Sequence, residues 1–76
     1  MHRLASKEVA YVVAQLILRR QEMGIPQKKV AERMQTTTNH VQDLEHGRNV
    51  PSVATLERWA HALGAKLTLD IEELKE

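Results

Sequence analysis

No cysteine occurs in the sequence. That removes disulfides, thiolate metal sites and cysteine catalysis together. Nothing then requires an oxidising compartment, and the cytoplasm is the expected location. Phenylalanine is absent too, and Tyr11 and Trp59 are the only aromatic residues. Proteins that bind single-stranded nucleic acid stack bases on a platform of several exposed aromatics, so that class is disfavoured. The longest apolar-looking stretch, residues 9–18, contains Gln15 and falls far short of the ~20 residues of a membrane span. Met1-His2-Arg3-Leu4 is not followed by an apolar core and a small-residue cleavage site, so no signal peptide is expected. There is no glycine-rich phosphate loop and no carboxylate pair placed by a motif. Ser6 and Ser52 read as helix caps. A chain of 76 residues has little room for a closed pocket, and neither an enzyme nor a cofactor is expected.

A chain of this length is one domain at most. Such a domain buries only about 60% of the surface its unfolded chain exposes, and small cores often need a metal, a disulfide or a partner subunit. With disulfides excluded, self-association is the staple left open. The formal net charge is only +1, but the charges are unevenly placed. Asp70, Glu72, Glu73 and Glu76 crowd the C-terminal end, so residues 1–69 hold ten Lys/Arg against six Asp/Glu, a balance of +4. A basic body with an acidic tail can face a polyanion. A merely solvated surface looks much the same, which makes the charge a mild hint.

The few Gly and Pro residues fall where helices should stop or start. A first helix is predicted from Lys7 to Met23, capped by Ser6. Val9, Val12, Val13, Leu16 and Ile17 form its apolar stripe, Gly24 its C-cap, and Arg19 and Arg20 suit the dipole of its last turns. A second, short helix spans Pro26 to Met34, with Ile25, Val30, Ala31 and Met34 inward. Gln35-Thr36-Thr37 interrupts the pattern, and Thr37 is a natural cap for a third helix from Thr38 to about His46. Only Val41 and Leu44 are apolar in that helix; Thr38, Asn39, His40, Gln42, Asp43 and Glu45 are polar. Ser52 caps a fourth helix, Val53 to Leu63, with Val53, Leu56, Trp59, Ala60 and Leu63 inward. From Lys66 the period changes to two, which is strand-like. A lone strand needs a partner for its backbone groups, and the simplest partner is the same strand of a second copy. A short fifth helix capped by Asp70, with Ile71 and Leu74 inward, is the competing reading.

Two short helices joined by a tight turn, the second with a polar face, are what reading the DNA major groove requires. That groove admits one helix, whose side chains must hydrogen-bond base edges. Asn and Gln suit this because an amide pairs with both the donor and the acceptor of adenine. Solvated helix faces usually carry Lys and Glu instead. The first helix of such a pair braces against phosphate, as Gln27 and Lys28 at its N-terminus could; Lys28, Lys29 and Arg33 taken alone would read as a solvated face.

Residues 18–64 resemble the helix-turn-helix of phage Cro-type and Xre-type repressors. The residues that carry the resemblance are Arg20, Gly24-Ile25-Pro26-Gln27, Val30-Ala31, Met34, Thr37, Val41, Leu44-Glu45, Gly47, Pro51, Leu56, Ala60 and Leu63-Gly64. Gln35-Thr36 departs from the family, which often has Gly and an apolar residue there. The resemblance implies an all-α fold: a four-helix lambda-repressor-like domain over residues 1–64, its helix-turn-helix unit at 26–45, with a C-terminal β-strand and acidic tail at 65–76 pairing across a homodimer. It implies that Thr38, Asn39 and Gln42 face base edges. Gln27, Lys28, Thr37, His40, Arg48 and Asn49 would contact the backbone, and Glu45 would tie the third helix to nearby backbone or to an arginine such as Arg20. Ala62-Leu63-Gly64 followed by an alternating strand is similar to antitoxins of the HipB and HigA kinds. By that likeness Leu67, Leu69 and Ile71 would form the dimer contact, and a cognate toxin becomes a second partner beside double-stranded DNA. The function so implied is transcriptional repression at a palindromic operator, including the protein's own promoter. His40 and His46 lie six apart and His2 and His61 have no ligand-like neighbours, so no metal site is expected. Trp59 falls on an apolar stripe and reads as core or dimer contact.

Overall fold

The computed structural model describes residues 6–68. Over that span the chain forms four helices: α1 (Ser6–Met23), α2 (Gln27–Met34), α3 (Thr38–Glu45) and α4 (Val53–Ala62). Each boundary lies within about one residue of its expected place. Ser6, expected as a cap, is the first residue of α1, and Pro26 precedes α2 as its N-cap in an extended conformation. Thr37 and Ser52 cap as their side chains predict: Thr37 Oγ1 accepts from His40 N at 3.1 Å and Ser52 Oγ from Thr55 N at 3.1 Å.

All four helices end in one motif, in which the chain turns left-handed and two amides bond back to the last carbonyls. At α1 the bonds are Gly24 N to Gln21 O and Ile25 N to Arg20 O; at α3 they are Gly47 N to Leu44 O and Arg48 N to Asp43 O; at α4 they are Gly64 N to His61 O and Ala65 N to Ala60 O. Glycine occupies the left-handed position in those three, with φ of 67°, 73° and 68°. At α2 the position belongs to Gln35 (φ 57°, ψ 46°), with Gln35 N to Glu32 O at 3.1 Å and Thr36 N to Ala31 O at 2.9 Å. The departure at Gln35 therefore leaves the turn geometry intact, but a side-chain-bearing residue there is strained by about 1–2 kcal/mol. Gln35→Gly should relieve that strain and lose part of the gain to greater freedom of the unfolded chain. A net stabilisation of roughly 0.5–1 kcal/mol is expected in urea unfolding; a loss of stability would show that the exposed Gln35 side chain has a role its surroundings do not reveal.

α1 and α2 each pack against both α3 and α4. Leu16, Val30, Ala31, Met34, Val41, Leu44, Leu56, Trp59, Ala60 and Leu63 form the core, with Val12, Val13, Ile17 and Ile25 packed at its margin. No polar or charged residue is buried among the described residues. Trp59 is fully buried, which places it in the core. Burying its ring contributes about 4–6 kcal/mol, enough to outweigh the one buried polar side-chain atom left without a partner among the described residues, its own Nε1.

The arginines bind across the fold rather than resting on a helix dipole. Arg19 Nε donates to Leu63 O at 2.7 Å and Arg33 Nη1 to Ala62 O at 2.9 Å. Both satisfy carbonyls at the C-terminal end of α4 that the helix itself cannot. These bonds tie the end of α4 to α1 and α2.

Residues 65–68 are assigned no strand. Their exposure alternates as the period-two pattern predicts: Ala65 and Leu67 are half-buried, Lys66 and Thr68 exposed. Leu67 packs against the chain's own core. A strand has meaning only with a partner strand, and none lies among the described residues. Leu69 and Ile71, expected to pair with it in a dimer, lie outside those residues, as does the alternative helix after Asp70.

Candidate nucleic-acid interface

The α2–α3 unit is fixed from behind by one ion pair. Arg20 Nε donates to Glu45 Oε2 at 2.6 Å and Arg20 Nη2 to Glu45 Oε1 at 3.1 Å, a bidentate geometry. Arg20 Nη1 also donates to Ile25 O at 3.1 Å. The two side chains are only 16% and 7% exposed. Such charge-assisted pairs are the strong ones, and the planar guanidinium sets orientation as well as distance. Gln27 Nε2 donates to the same carboxylate at 3.0 Å. One glutamate thus joins the end of α1, the start of α2 and the last turn of α3. Gln27 is held with one amide hydrogen and its carbonyl oxygen still available.

At the start of α2, Pro26 has no side chain that can cap, and no cap bond forms. The Gln27 and Lys28 amides of the first turn have no side-chain acceptor; in α3 and α4 the capping hydroxyl takes the third amide of the helix, whose counterpart in α2, Lys29 N, donates to Pro26 O at 3.0 Å. No acidic residue occupies that first turn. Free amides, the helix dipole and the exposed Lys28 together favour an anion there. Lys29 is exposed as well and lies 3.7 Å from Glu32, a surface pair of little consequence for stability.

On α3, Val41 and Leu44 face the core, fully buried. At 3.6 residues per turn the opposite side carries Asn39, Asp43 and His46 in one row, with Thr38 and Gln42 in the adjoining row. Asn39 and His46 are exposed; Thr38, Gln42 and Asp43 are half-buried. His40 is half-buried on the other flank. His46 Nδ1 donates to Gln42 O at 2.8 Å, which leaves its Nε2 outward. Thr37 is exposed; its oxygen accepts from the helix, and its hydroxyl hydrogen remains free to donate. Arg48 and Asn49 are exposed in the loop after α3.

Of the residues expected to read bases, Asn39 thus lies at the centre of the outward face, with Thr38 and Gln42 at its inner edge. Two residues on that face were not singled out from the sequence, Asp43 and His46. The i, i+4, i+7 spacing from Asn39 was the signal that could have found them. Asp43 is half-exposed and pairs with Arg48: Nη1 donates to Oδ1 at 3.0 Å. Among the described residues, no three His, Asp or Glu gather where they could hold a metal ion, and no helix is long and apolar enough to cross a membrane.

Comparison with known proteins gives two findings. The helix-turn-helix family model matches residues 16–69, which include all of α2, α3 and α4. A protein of Methanothermobacter thermautotrophicus, strain Delta H, named as an uncharacterized HTH-type transcriptional regulator, is 40% identical over 57 residues, covering 75% of this chain and 83% of its own length. No solved structure gives a significant match.

Proposed function

This chain belongs to the helix-turn-helix family, of the Xre/Cro type, and from that premise we propose that it binds double-stranded DNA sequence-specifically and represses transcription, its own promoter among the targets. The observation that carries the proposal is α3 itself. It has two apolar residues on one side and Thr38, Asn39 and Gln42 towards the other, and the Arg20–Glu45–Gln27 network holds it rigidly against α2. In this reading Thr38, Asn39 and Gln42 meet base edges. Gln27, Lys28, Thr37, His40, Arg48 and Asn49 meet the sugar-phosphate backbone and set the register.

The active species is a homodimer, its two copies of α3 entering successive major grooves about 34 Å apart. Tyr11 and Leu18 support an interface at α1 beside residues 65–68: they are 65% and 54% exposed and border a groove whose other wall is Ala65–Thr68. Leu67, Leu69 and Ile71 are the residues proposed to extend that contact to the second copy. An antitoxin would share this DNA chemistry and add a protein partner; a toxin gene beside this one would separate the two readings.

The test is selection from random duplex DNA by the purified protein, followed by titration of the winning site across salt and sedimentation of the free protein. The expected result is a palindromic site, twice the chain mass, and a steep salt slope. If Lys28 and Arg48 of each subunit neutralise one phosphate apiece, log K should fall with log salt at roughly −3.6. Recovery of no site, with affinity indifferent to salt, would overturn DNA binding. A chain-mass particle on a non-palindromic site would overturn the dimer alone.

A further inference from the structure

Asp43 is out of place on a surface meant for a polyanion. It stands in the outward row of α3, between Asn39 and His46, with its side chain 37% exposed. Its Oδ1 accepts from Arg48 at 3.0 Å, while Oδ2 has no partner among the described residues. Arg48 is itself held close by: its backbone N–H bonds to Asp43 O at 2.9 Å, and its side chain is 64% exposed. The pair contributes little to stability at that exposure.

A carboxylate can only accept hydrogen bonds. In the major groove guanine shows two acceptors, thymine an acceptor and a methyl group, and adenine a donor beside the N7 acceptor. Cytosine shows its 4-amino donor with no acceptor of its own beside it. A carboxylate is thus repelled by guanine and thymine, meets on adenine a donor flanked by a repelling N7 acceptor, and is welcomed best by cytosine, provided a cation offsets the nearby phosphates. Arg48 supplies that cation, and its remaining N–H groups can reach a phosphate. Resting on the DNA-binding reading above, we infer that Asp43 is a specificity-determining residue that accepts a hydrogen bond from the 4-amino group of a cytosine, with Arg48 as counter-ion and phosphate contact.

The experiment repeats the duplex selection with the wild-type chain and with Asp43→Ala, Asp43→Asn and Arg48→Ala, each checked for unchanged helicity by far-ultraviolet circular dichroism. The wild type should prefer C·G over other pairs at one position of each half-site by roughly 5- to 150-fold. Asp43→Ala should flatten that one position and leave the others sharp. Asp43→Asn keeps the size but presents an amide, which pairs with adenine, so the preference should move to A·T. Arg48→Ala should weaken all duplexes, lower the salt slope by about one per subunit, and reduce the cytosine preference without abolishing it, because Asp43 keeps its acceptor oxygens and loses its counter-ion. If both Asp43 variants keep the wild-type preferences and gain affinity on every duplex, Asp43 merely repels phosphate and the inference fails while DNA binding stands. If the wild type selects no duplex, both fall together.

Discussion

Replacing Glu45 with alanine is expected to lower the stability of the domain by about 3–5 kcal/mol, the usual consequence of stranding one partner of a buried ion pair. Arg20 would keep its charge at 16% exposure with only the Ile25 carbonyl to accept from it. Gln27 would lose its acceptor in the same stroke. A chain of 76 residues has about 4–11 kcal/mol of stability in all, so the loss is a large fraction of the total. For a domain of this size the loss corresponds to a fall in Tm of roughly 12–40 °C, readable by circular dichroism. A Tm within a few degrees of wild type would mean that Arg20 finds water or another acceptor, and that the network organises less than its geometry implies.

The same pair separates stability from organisation. Arg20→Met combined with Glu45→Leu removes both charges and substitutes apolar volume, a change that is often neutral or stabilising for a buried pair. That double variant should recover most of the stability lost by Glu45→Ala. It leaves Gln27 without the carboxylate that fixes its amide, so its affinity for DNA should remain below wild type although the fold is restored. Full recovery of both would assign Glu45 a purely structural task.

How far the sequence could foresee these features follows from the range over which each is decided. The helix ends were legible because they are set by neighbours: Gly24, Gly47 and Gly64 for the left-handed stops, Thr37 and Ser52 for the hydroxyl caps. Core residues were legible through the 3.6-residue period, down to Trp59 on the α4 stripe. The stop after Met34 was legible too, but not the left-handed conformation of Gln35, since no local preference brings a glutamine to φ 57°. Nor could Arg19 and Arg33 be matched to the carbonyls of Leu63 and Ala62, because those contacts span 44 and 29 residues of chain. The Arg20–Glu45 pairing was reachable only through resemblance to the family, and the structure places it at hydrogen-bonding distance. Over residues 65–68 burial alternates with period two, yet a strand is a property of two segments, and Leu67 is only half-buried against its own core.

Asn39→Ala together with Gln42→Ala is expected to weaken binding to the cognate operator by roughly 2–6 kcal/mol, taking 1–3 kcal/mol for each amide that meets a base. That is roughly 30- to 20,000-fold in Kd. The two residues lie three apart on one helix face and share a groove, so their losses should couple, and the two single variants are needed to measure by how much. Neither substitution touches the core: Asn39 is exposed, Gln42 is half-buried, and alanine favours helix. Lys28 and Arg48 remain, so affinity for scrambled duplex and the salt slope should stay close to wild type. The decisive quantity is therefore the ratio of cognate to scrambled affinity, measured at one salt concentration. Its collapse towards unity would make α3 the reader of sequence. Equal losses on both duplexes would show that Asn39 and Gln42 touch phosphate only, and sequence would then have to be read by other residues of the outward face or through the deformability of the DNA.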